Sequence, residues 1–415
     1  MSMYFVGDDP LLIPILLETY RTSEWFRNFV HKNKITVVVP KIIFPQNWID
    51  VQGKHSSEKK ESFDGYLYLD GKKYPLPFQK RRLFEFSNTK LRDLLRDYYI
   101  SKMRVSTTNI TGGGGEERTY KDWIIQQYGE ELYLYLFQPF IENRLMSFAH
   151  QHKISDIGSF LSAGQARDWH IEQQNNTWTS YSFDMTSIHP NILIKEVGTF
   201  QSLQRNSESS WILRSQTEQI LIETNIEQFY WACTPQQTFA LLENSLRTTS
   251  LQVDIDHLQC QSIQRTCFYV NQIDKQVIWG IDRGVPHQIL TDSHIMQVAY
   301  QSCGEETMDH DRIRGQLQNI GIPLGPPMFN LSWQVPVWSQ QSHFRFRRYV
   351  DFLDNWNIKL LGNYGLFGHL SLQDLISCFV ESQNQSNAEI VRRYVEPIVR
   401  SSARDIELKN IIYQF

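Results

Sequence analysis

Two glycine-bearing turns are where this chain could hold a phosphate-bearing ligand. The first is Gly7-Asp8-Asp9-Pro10-Leu11-Leu12, which follows the apolar run Met3-Tyr4-Phe5-Val6. A strand, a glycine turn and a helix start bind a pyrophosphate when backbone approaches it closely and free amides meet its charge. Of the glycines in a GxGxxG spacing, only Gly7 is present. Asp8 and Asp9 place carboxylates at the phosphate position, and Pro10 removes one amide donor. Val38-Val39-Pro40 stands where an acid would take ribose hydroxyls. Like charges about 4 Å apart repel by about 4 kcal/mol at an effective dielectric near 20. The reading favoured for this segment is a structural βαβ unit without cofactor, its helix capped by its own residues.

The second turn lies in Leu360-Leu361-Gly362-Asn363-Tyr364-Gly365-Leu366-Phe367-Gly368-His369-Leu370-Ser371, followed by the apolar run to Ile376. Gly362, Gly365 and Gly368 let backbone come close to a ligand, and Ser371 opens a helix with free amides and a positive dipole end. A plain strand–helix turn capped by Ser371 accounts for the same residues. Chemistry alone leaves both readings open.

Other constellations carry less. His150-Gln151-His152 has no cysteine nearby and only Asp156 as a local acid, so a zinc site is not expected. The five cysteines (Cys233, Cys260, Cys267, Cys303, Cys378) are odd in number and without CxxC spacing. They suggest neither a disulfide framework nor a metal site. Gly112–Gly115 lacks a preceding strand and a following Lys-Ser/Thr, and Glu116-Glu117 would repel phosphate, so it is expected to be a linker. Phe344-Arg345-Phe346-Arg347-Arg348-Tyr349 interleaves bases and aromatics as single-strand nucleic-acid binders do. An amphipathic helix with aromatics inward and arginines in water is the favoured reading. Asp254-Ile255-Asp256 and Asp309-His310-Asp311 are expected to be surface acids without a role. No Ser/His/Asp or Cys/His order is recoverable.

The elements that position the turns follow from pattern. Met3–Gly7 reads as a strand. A helix follows from Asp8-Asp9-Pro10, with a carboxylate cap and Pro at the first helical position, broken at Pro14 or at Thr22-Ser23. Ile35-Thr36-Val37-Val38-Val39 is a buried parallel strand, which completes a βαβ unit. Tyr66–Pro77 is a hairpin turning at Asp70-Gly71, and Thr89 to about Met103 and Glu130–Arg144 are helical. Strands are expected at 193–200, 211–214, 219–223, 229–233, 262–270 and 276–282, and helices at 236–246 and 310–320. Ile358–Leu361 is the last strand.

At 415 residues, with 41 Lys+Arg against 45 Asp+Glu, the chain has room for two or three domains. It also lacks the bulk charge a nucleic-acid partner requires. No run of 18 apolar residues spans a membrane, and Asp8-Asp9 precedes the apolar run where a signal peptide would be basic. A cytoplasmic location is the expectation. Aromatic residues reach 13%, enough to line an apolar cavity or a partner surface, although an aromatic core explains them equally.

Together these stretches resemble the superfamily of FAD-linked amine oxidases, protoporphyrinogen oxidases and UDP-galactopyranose mutases, with the mutase-like branch nearest. The resemblance rests on Asp70–Phe78, Thr119–Ile124, Tyr128–Tyr133, Leu136–Phe140, Ala232-Cys233-Thr234-Pro235 and Gly362–Ile376, and it spans nearly the whole chain. It implies that Gly7, Gly362, Asn363, Tyr364, Gly365, Gly368 and Ser371 lie where the family holds FAD. Departures include the first glycine motif and a missing glycine pair between Ser180 and Phe200. A further one is Ile141-Glu142-Asn143-Arg144-Leu145-Met146 after Pro139-Phe140.

The fold expected is α/β. A Rossmann-like, FAD-type sheet domain is built from 1–55, 188–246 and 331–415, and an inserted α+β substrate or partner domain from 56–187 and 247–330. The function expected is that of a superfamily member with a degenerate FAD site, serving as a non-catalytic binding subunit or the partner of a homologous active subunit. The alternative is an active FAD-linked oxidoreductase or mutase acting on a bulky or sugar-nucleotide-like small molecule. Neither reading involves nucleic acid, a metal or a membrane span.

Overall fold

The computed structural model describes residues 2–42, 47–51, 61–105, 125–139, 177–301, 310–337 and 340–395, apart from a few positions inside those ranges. The Gly112–Gly115 run, Thr119–Ile124, Ile141–Met146, the His150/His152 pair and Cys303 lie outside the described residues. The chain divides into two compact units. One comprises Met1–Glu58, Tyr181–Cys260 and Gln334–Ile398; the other comprises Lys59–Ser180, Gln261–Trp333 and Val399–Phe415.

The first unit is built on continuous apolar runs, which suit strands buried on both faces. β1 (Ser2–Gly7) lies between β2 (Ile35–Val39) and β7 (Glu227–Ala232), with β3 (Ile192–Glu196) beyond β2 and β8 (Ile358–Leu360) beyond β7. All five strands run parallel. The register sets Gly7 opposite Ala232 and Trp231 opposite Leu360. The carboxyl ends of β1, β7 and β8, where the two glycine turns begin, therefore meet at one edge of the sheet.

Between β1 and β2 the chain forms α1 (Leu12–Thr22) and α2 (Glu24–Lys32). Pro14 falls in the first turn of α1, where its missing N–H has no intrahelical partner to lose, so it causes no break. The break is at Ser23, which is extended and takes the Phe26 amide with its hydroxyl to cap α2. The helix start differs from the expectation. α1 begins at Leu12 rather than at Pro10, and its N-cap, Leu11, makes no side-chain cap.

The expected strand over 193–200 is two strands. β3 ends at Glu196, Gly198 turns with φ +69°, and β4 (Phe200–Ser207) starts an antiparallel meander with β5 (Ser210–Ser215) and β6 (Gln219–Glu223). After β7, a capping box between Thr234 and Gln237 with Pro235 at the first position opens α3 (Pro235–Leu241). That helix is shorter than the 236–246 expected, because the chain is already extended at Leu242. Next come α4 (Thr249–Asp256), α5 (Gln340–Asp354) and, after β8, α6 (Leu372–Ser382). Phe379 of α6 packs edge-on against Phe5 of β1, Phe26 of α2 and Tyr230 of β7.

In α5 the aromatics Phe346 and Tyr349 are buried, but Phe344 is exposed. The arginines do more than solvate, since Arg345 and Arg348 both pair with Asp254 of α4 at 3.0 and 3.2 Å. Asp254 is therefore a buried helix–helix anchor, not the surface acid expected.

In the second unit, Asp64–Leu69 and Lys72–Leu76 form the expected hairpin. Asp70 and Gly71 both adopt positive φ, the conformation that an Asp-Gly two-residue turn supplies. Gln259–Gly280 is one continuous strand where two were expected, with its register shifting around Ile273. It pairs with Asp64–Leu69, Gln288–Gln301 and Pro327–Val337. The helix His310–Asn319 contributes Ile313 and Leu317 to a core with Phe268, Ile278, Ile289, Met296 and Val298. Of the Glu130–Arg144 helix, Glu130–Leu132 is α-helical and Tyr133–Phe137 forms a π-turn. No helix among the described residues is long and apolar enough to cross a membrane.

Candidate functional site

Gly7 is glycine because of the neighbouring strand. A Cβ there would sit 2.4 Å from the Ala232 carbonyl oxygen. Two residues later the Asp9 amide still reaches that oxygen at 3.3 Å, and the Asp9 carbonyl then accepts from the Leu12 amide at 3.0 Å as the chain turns into α1.

Asp9 itself points inward, with only 4% of its surface exposed. Oδ1 accepts the Leu11 amide at 2.8 Å, while Oδ2 accepts the Tyr364 amide at 2.9 Å. The carboxylate thus joins the two glycine turns. Gly362 makes this contact feasible. It holds φ +75°, and a Cβ at that position would lie 2.4 Å from Asp9 Oδ2. Burial pushes the Asp9 carboxyl up to about 7, against the lowering effect of the Tyr364 and Leu11 amides, and the Asp8 charge adds to the rise.

Asp8 lies beside it. Its Oδ2 accepts from Gln237 Nε2, whose side-chain oxygen is taken up by the α3 capping box. The Cys233 thiol acts on the same carboxyl, yet Oδ1 is buried without a hydrogen bond of normal geometry. Burial raises Asp8 to about 6 and, reinforced by Asp8, holds the Cys233 thiol well above its usual range.

The remaining residues singled out from the sequence lie in the bend that begins at Gly362 and at the start of α6. Asn363 is buried and spans the bend, with Oδ1 accepting the Leu370 amide at 2.7 Å and Nδ2 donating to the Leu370 carbonyl at 3.2 Å. Tyr364 gives its amide to Asp9, and its hydroxyl accepts the Gln334 amide at 3.0 Å. Gly365 lies against β7, where a Cβ would be 2.4 Å from the Trp231 carbonyl oxygen. Gly368 faces the Leu370 side chain more loosely, at 3.4 Å. Ser371 caps α6, taking the Asp374 amide at 3.1 Å and donating to its carboxylate at 2.8 Å. For Gly7, Gly362 and Gly365, the close approach that glycine permits is to the chain's own atoms.

Sequence reasoning missed Gln237, whose position three residues after Thr234 marked only a cap. It also missed Thr238, whose hydroxyl accepts from Trp231 Nε1 at 2.7 Å and from the Tyr349 hydroxyl at 2.9 Å while donating to the Thr234 carbonyl at 2.8 Å. This places one fully used hydroxyl directly behind the site. Among the described residues no group of His, Cys, Asp and Glu could hold a metal ion.

A parallel sheet with a glycine turn after its first strand, an antiparallel meander, and a return of the chain's last strand to the same edge together define the architecture. The chain has the fold of the FAD-linked oxidoreductases. A reduced UDP-galactopyranose mutase superposes with a TM-score of 0.62 at 8% identity, over 97% of this chain and 96% of that one. A protein from Exiguobacterium sp. 255-15 assigned as a protoporphyrinogen oxidase gives 0.57 at 9%, over 94% and 98%. A putrescine oxidase redesigned in its cofactor binding gives 0.51 at 10%, over 98% and 100%. No protein-family model matches the chain, and no curated protein matches it. Set in this FAD-oxidoreductase fold, the Asp8-Asp9 turn occupies the helix start that follows the first strand.

Proposed function

We propose that this protein keeps the FAD-oxidoreductase fold without a working dinucleotide site and acts as a non-catalytic binding or partner subunit. One observation carries this reading. The Asp9 carboxylate already takes the Leu11 and Tyr364 amides, one from each glycine turn. Those amides are the donors a diphosphate would need, and in Asp9 they have an anion of their own. Judged on these residues, a diphosphate does not fit. It would have to displace two hydrogen bonds to a charged group, each worth about 1.5–3 kcal/mol. Approaching to about 4 Å with Asp9 ionised would add about 4 kcal/mol of repulsion. Protonating Asp9 removes the charge but leaves its oxygens in place.

What remains useful in such a chain is its surface and any cavity of the second unit. A homologous flavin-bearing subunit is the partner that this fold would fit. Absorbance of the purified protein provides the test. A colourless protein whose melting temperature is unmoved by added FAD is expected. Flavin absorbance near about 450 nm at one equivalent per chain overturns the reading and favours an active oxidoreductase or mutase.

A further inference from the structure

One stretch of the second unit is charged against the rest of the chain. Between Lys72 and Arg92 seven basic residues stand against one acid, Glu85, in a protein of net charge −4. The stretch comprises the returning strand of the hairpin, the 3₁₀ helix Lys80–Glu85 and the start of the helix Thr89–Val105.

Residues three apart share a ridge in a 3₁₀ helix, and the ridges here have different fates. Leu83 and Phe86 are buried, with the Phe86 ring 5.1 Å from Tyr74 and 5.5 Å from Phe78. Arg82 and Glu85 pair with each other at 3.3 Å. Arg81 and Phe84 are left facing water. Phe84 is 76% exposed, the highest value for a large apolar side chain among the described residues. Arg81 is exposed and hydrogen-bonds the neutral Gln79 side chain at 3.3 Å. At the junction with the next helix, exposed Lys72 donates to Ser87 Oγ at 3.0 Å, and exposed Lys90 lies 4.6 Å over the Tyr135 ring. These contacts are neutral and leave the charges in place. The acids nearby are engaged: Asp70 accepts from Asn88 Nδ2 at 2.6 Å and from the Tyr135 hydroxyl at 3.0 Å, and Asp93 pairs with Arg92 at 3.5 Å.

A lone exposed aromatic is ordinary. One that shares its ridge with an arginine and stands among lysines is the arrangement of an interfacial anchor, whose ring enters the headgroup layer while cations meet anionic lipids. A fluid headgroup layer closes around a single ring, whereas a protein partner needs a matching pocket. We infer that this corner docks the protein on an anionic membrane surface, with Phe84 inserted and Lys72, Arg81 and Lys90 on lipid headgroups. The inference goes beyond the proposed function and does not depend on it, since neither flavin nor the Asp9 turn takes part.

Co-sedimentation of the full-length protein with lipid vesicles tests the docking. Phosphatidylcholine vesicles containing about 30% phosphatidylserine should carry the protein down, and pure phosphatidylcholine should not. Sodium chloride at about 1 M, where the Debye length is about 3 Å, should release most of it. Each basic residue at an anionic surface is worth about fivefold in partitioning, so Lys72→Glu with Arg81→Glu should weaken binding at least about a hundredfold. Phe84→Ser should weaken it about tenfold. Arg214→Glu, on β5 of the first unit, should leave it unchanged. All four substituted side chains are exposed, so the melting temperatures should match the wild type. Equal binding to both vesicles overturns the inference, as does binding that survives Phe84→Ser or the double charge reversal. Failure to bind phosphatidylserine also overturns it, and retention by soluble poly-glutamate alone would assign the corner to an acidic protein instead. Flavin absorbance bears on the proposed function and vesicle binding on the docking, so each can fail without the other.

Discussion

The Asp9 carboxylate and the Tyr364 amide, 355 positions apart in the chain, meet at 2.9 Å. The contact ties the turn after the first strand of the parallel sheet to the turn after its last. Because Asp9 also holds the Leu11 amide, one side chain organises both glycine turns of the unit. It does so at the cost of burying a carboxylate beside another carboxylate, and the consequences can be measured.

The first concerns stability against pH. Asp9 is raised from 3.8 to about 7 and Asp8 from 3.8 to about 6, while in the unfolded chain both titrate near about 3.9. A raised carboxyl leaves the folded state holding more protons than the unfolded state, so its contribution is complete below about pH 4. That contribution is lost as pH rises through 6 and 7. Urea unfolding between pH 5 and pH 8 should therefore show stability falling with pH. Asp9→Asn should flatten most of that slope, and a wild-type slope of the opposite sign would count against the burial assigned to the pair.

The second concerns the amides. In Asp9→Gly with Pro10→Ala, the Leu11 and Tyr364 amides lose their internal anion and one backbone donor is restored. FAD affinity, measured by flavin fluorescence quenching, should rise by at least about tenfold, a gain of about 1.4 kcal/mol. Unchanged affinity would mean that Asp9 is not what closes the turn.

Much of the fold was legible because its signals are local. The β-branched run Ile35–Val39, the Asp70-Gly71 turn and the Ser371 cap each dictate one element without help from elsewhere. The carboxylates of the first turn were also visible as an obstacle to phosphate. Their partner was not, since nothing near Asp9 in sequence indicates that Tyr364 will supply its amide. Asp254 misled for the same reason. Its burial comes from Arg345 and Arg348 on a helix about 90 positions away, and an acid read in isolation defaults to the surface. The split of 193–200 at Gly198 was readable in principle, because a positive φ inside a strand pattern calls for glycine.

A third prediction separates glycines that are needed from those that are not. Gly7→Ala pushes a methyl to 2.4 Å from the Ala232 carbonyl oxygen, and Gly365→Ala does the same against Trp231, both backbone atoms that cannot swing aside. Each should cost about 1–3 kcal/mol in chemical denaturation. At Gly315, inside the helix His310–Asn319, an added methyl would meet nothing within 4 Å. Gly315→Ala should stabilise by about 0.5–1 kcal/mol through helix propensity. Equal losses at all three positions would refute the distinction.

The last concerns Thr238, whose single hydroxyl accepts from Trp231 Nε1 and from the Tyr349 hydroxyl while donating to the Thr234 carbonyl. Thr238→Val keeps the shape and removes the oxygen, leaving two buried donors, the indole N–H and the phenol O–H, without that acceptor. At about 1–3 kcal/mol for each unsatisfied group, the loss should be about 2–6 kcal/mol by urea unfolding. The Thr234 carbonyl itself remains served by the Thr238 amide at 2.9 Å, so the cost falls on the aromatic pair. Thr238→Ser restores the oxygen and should recover most of the loss, apart from the small cavity where the methyl was. If the serine and valine variants were equally destabilised, the hydroxyl would not be the element that holds α3 and α5 against β7, and packing of the threonine methyl would have to explain the effect instead.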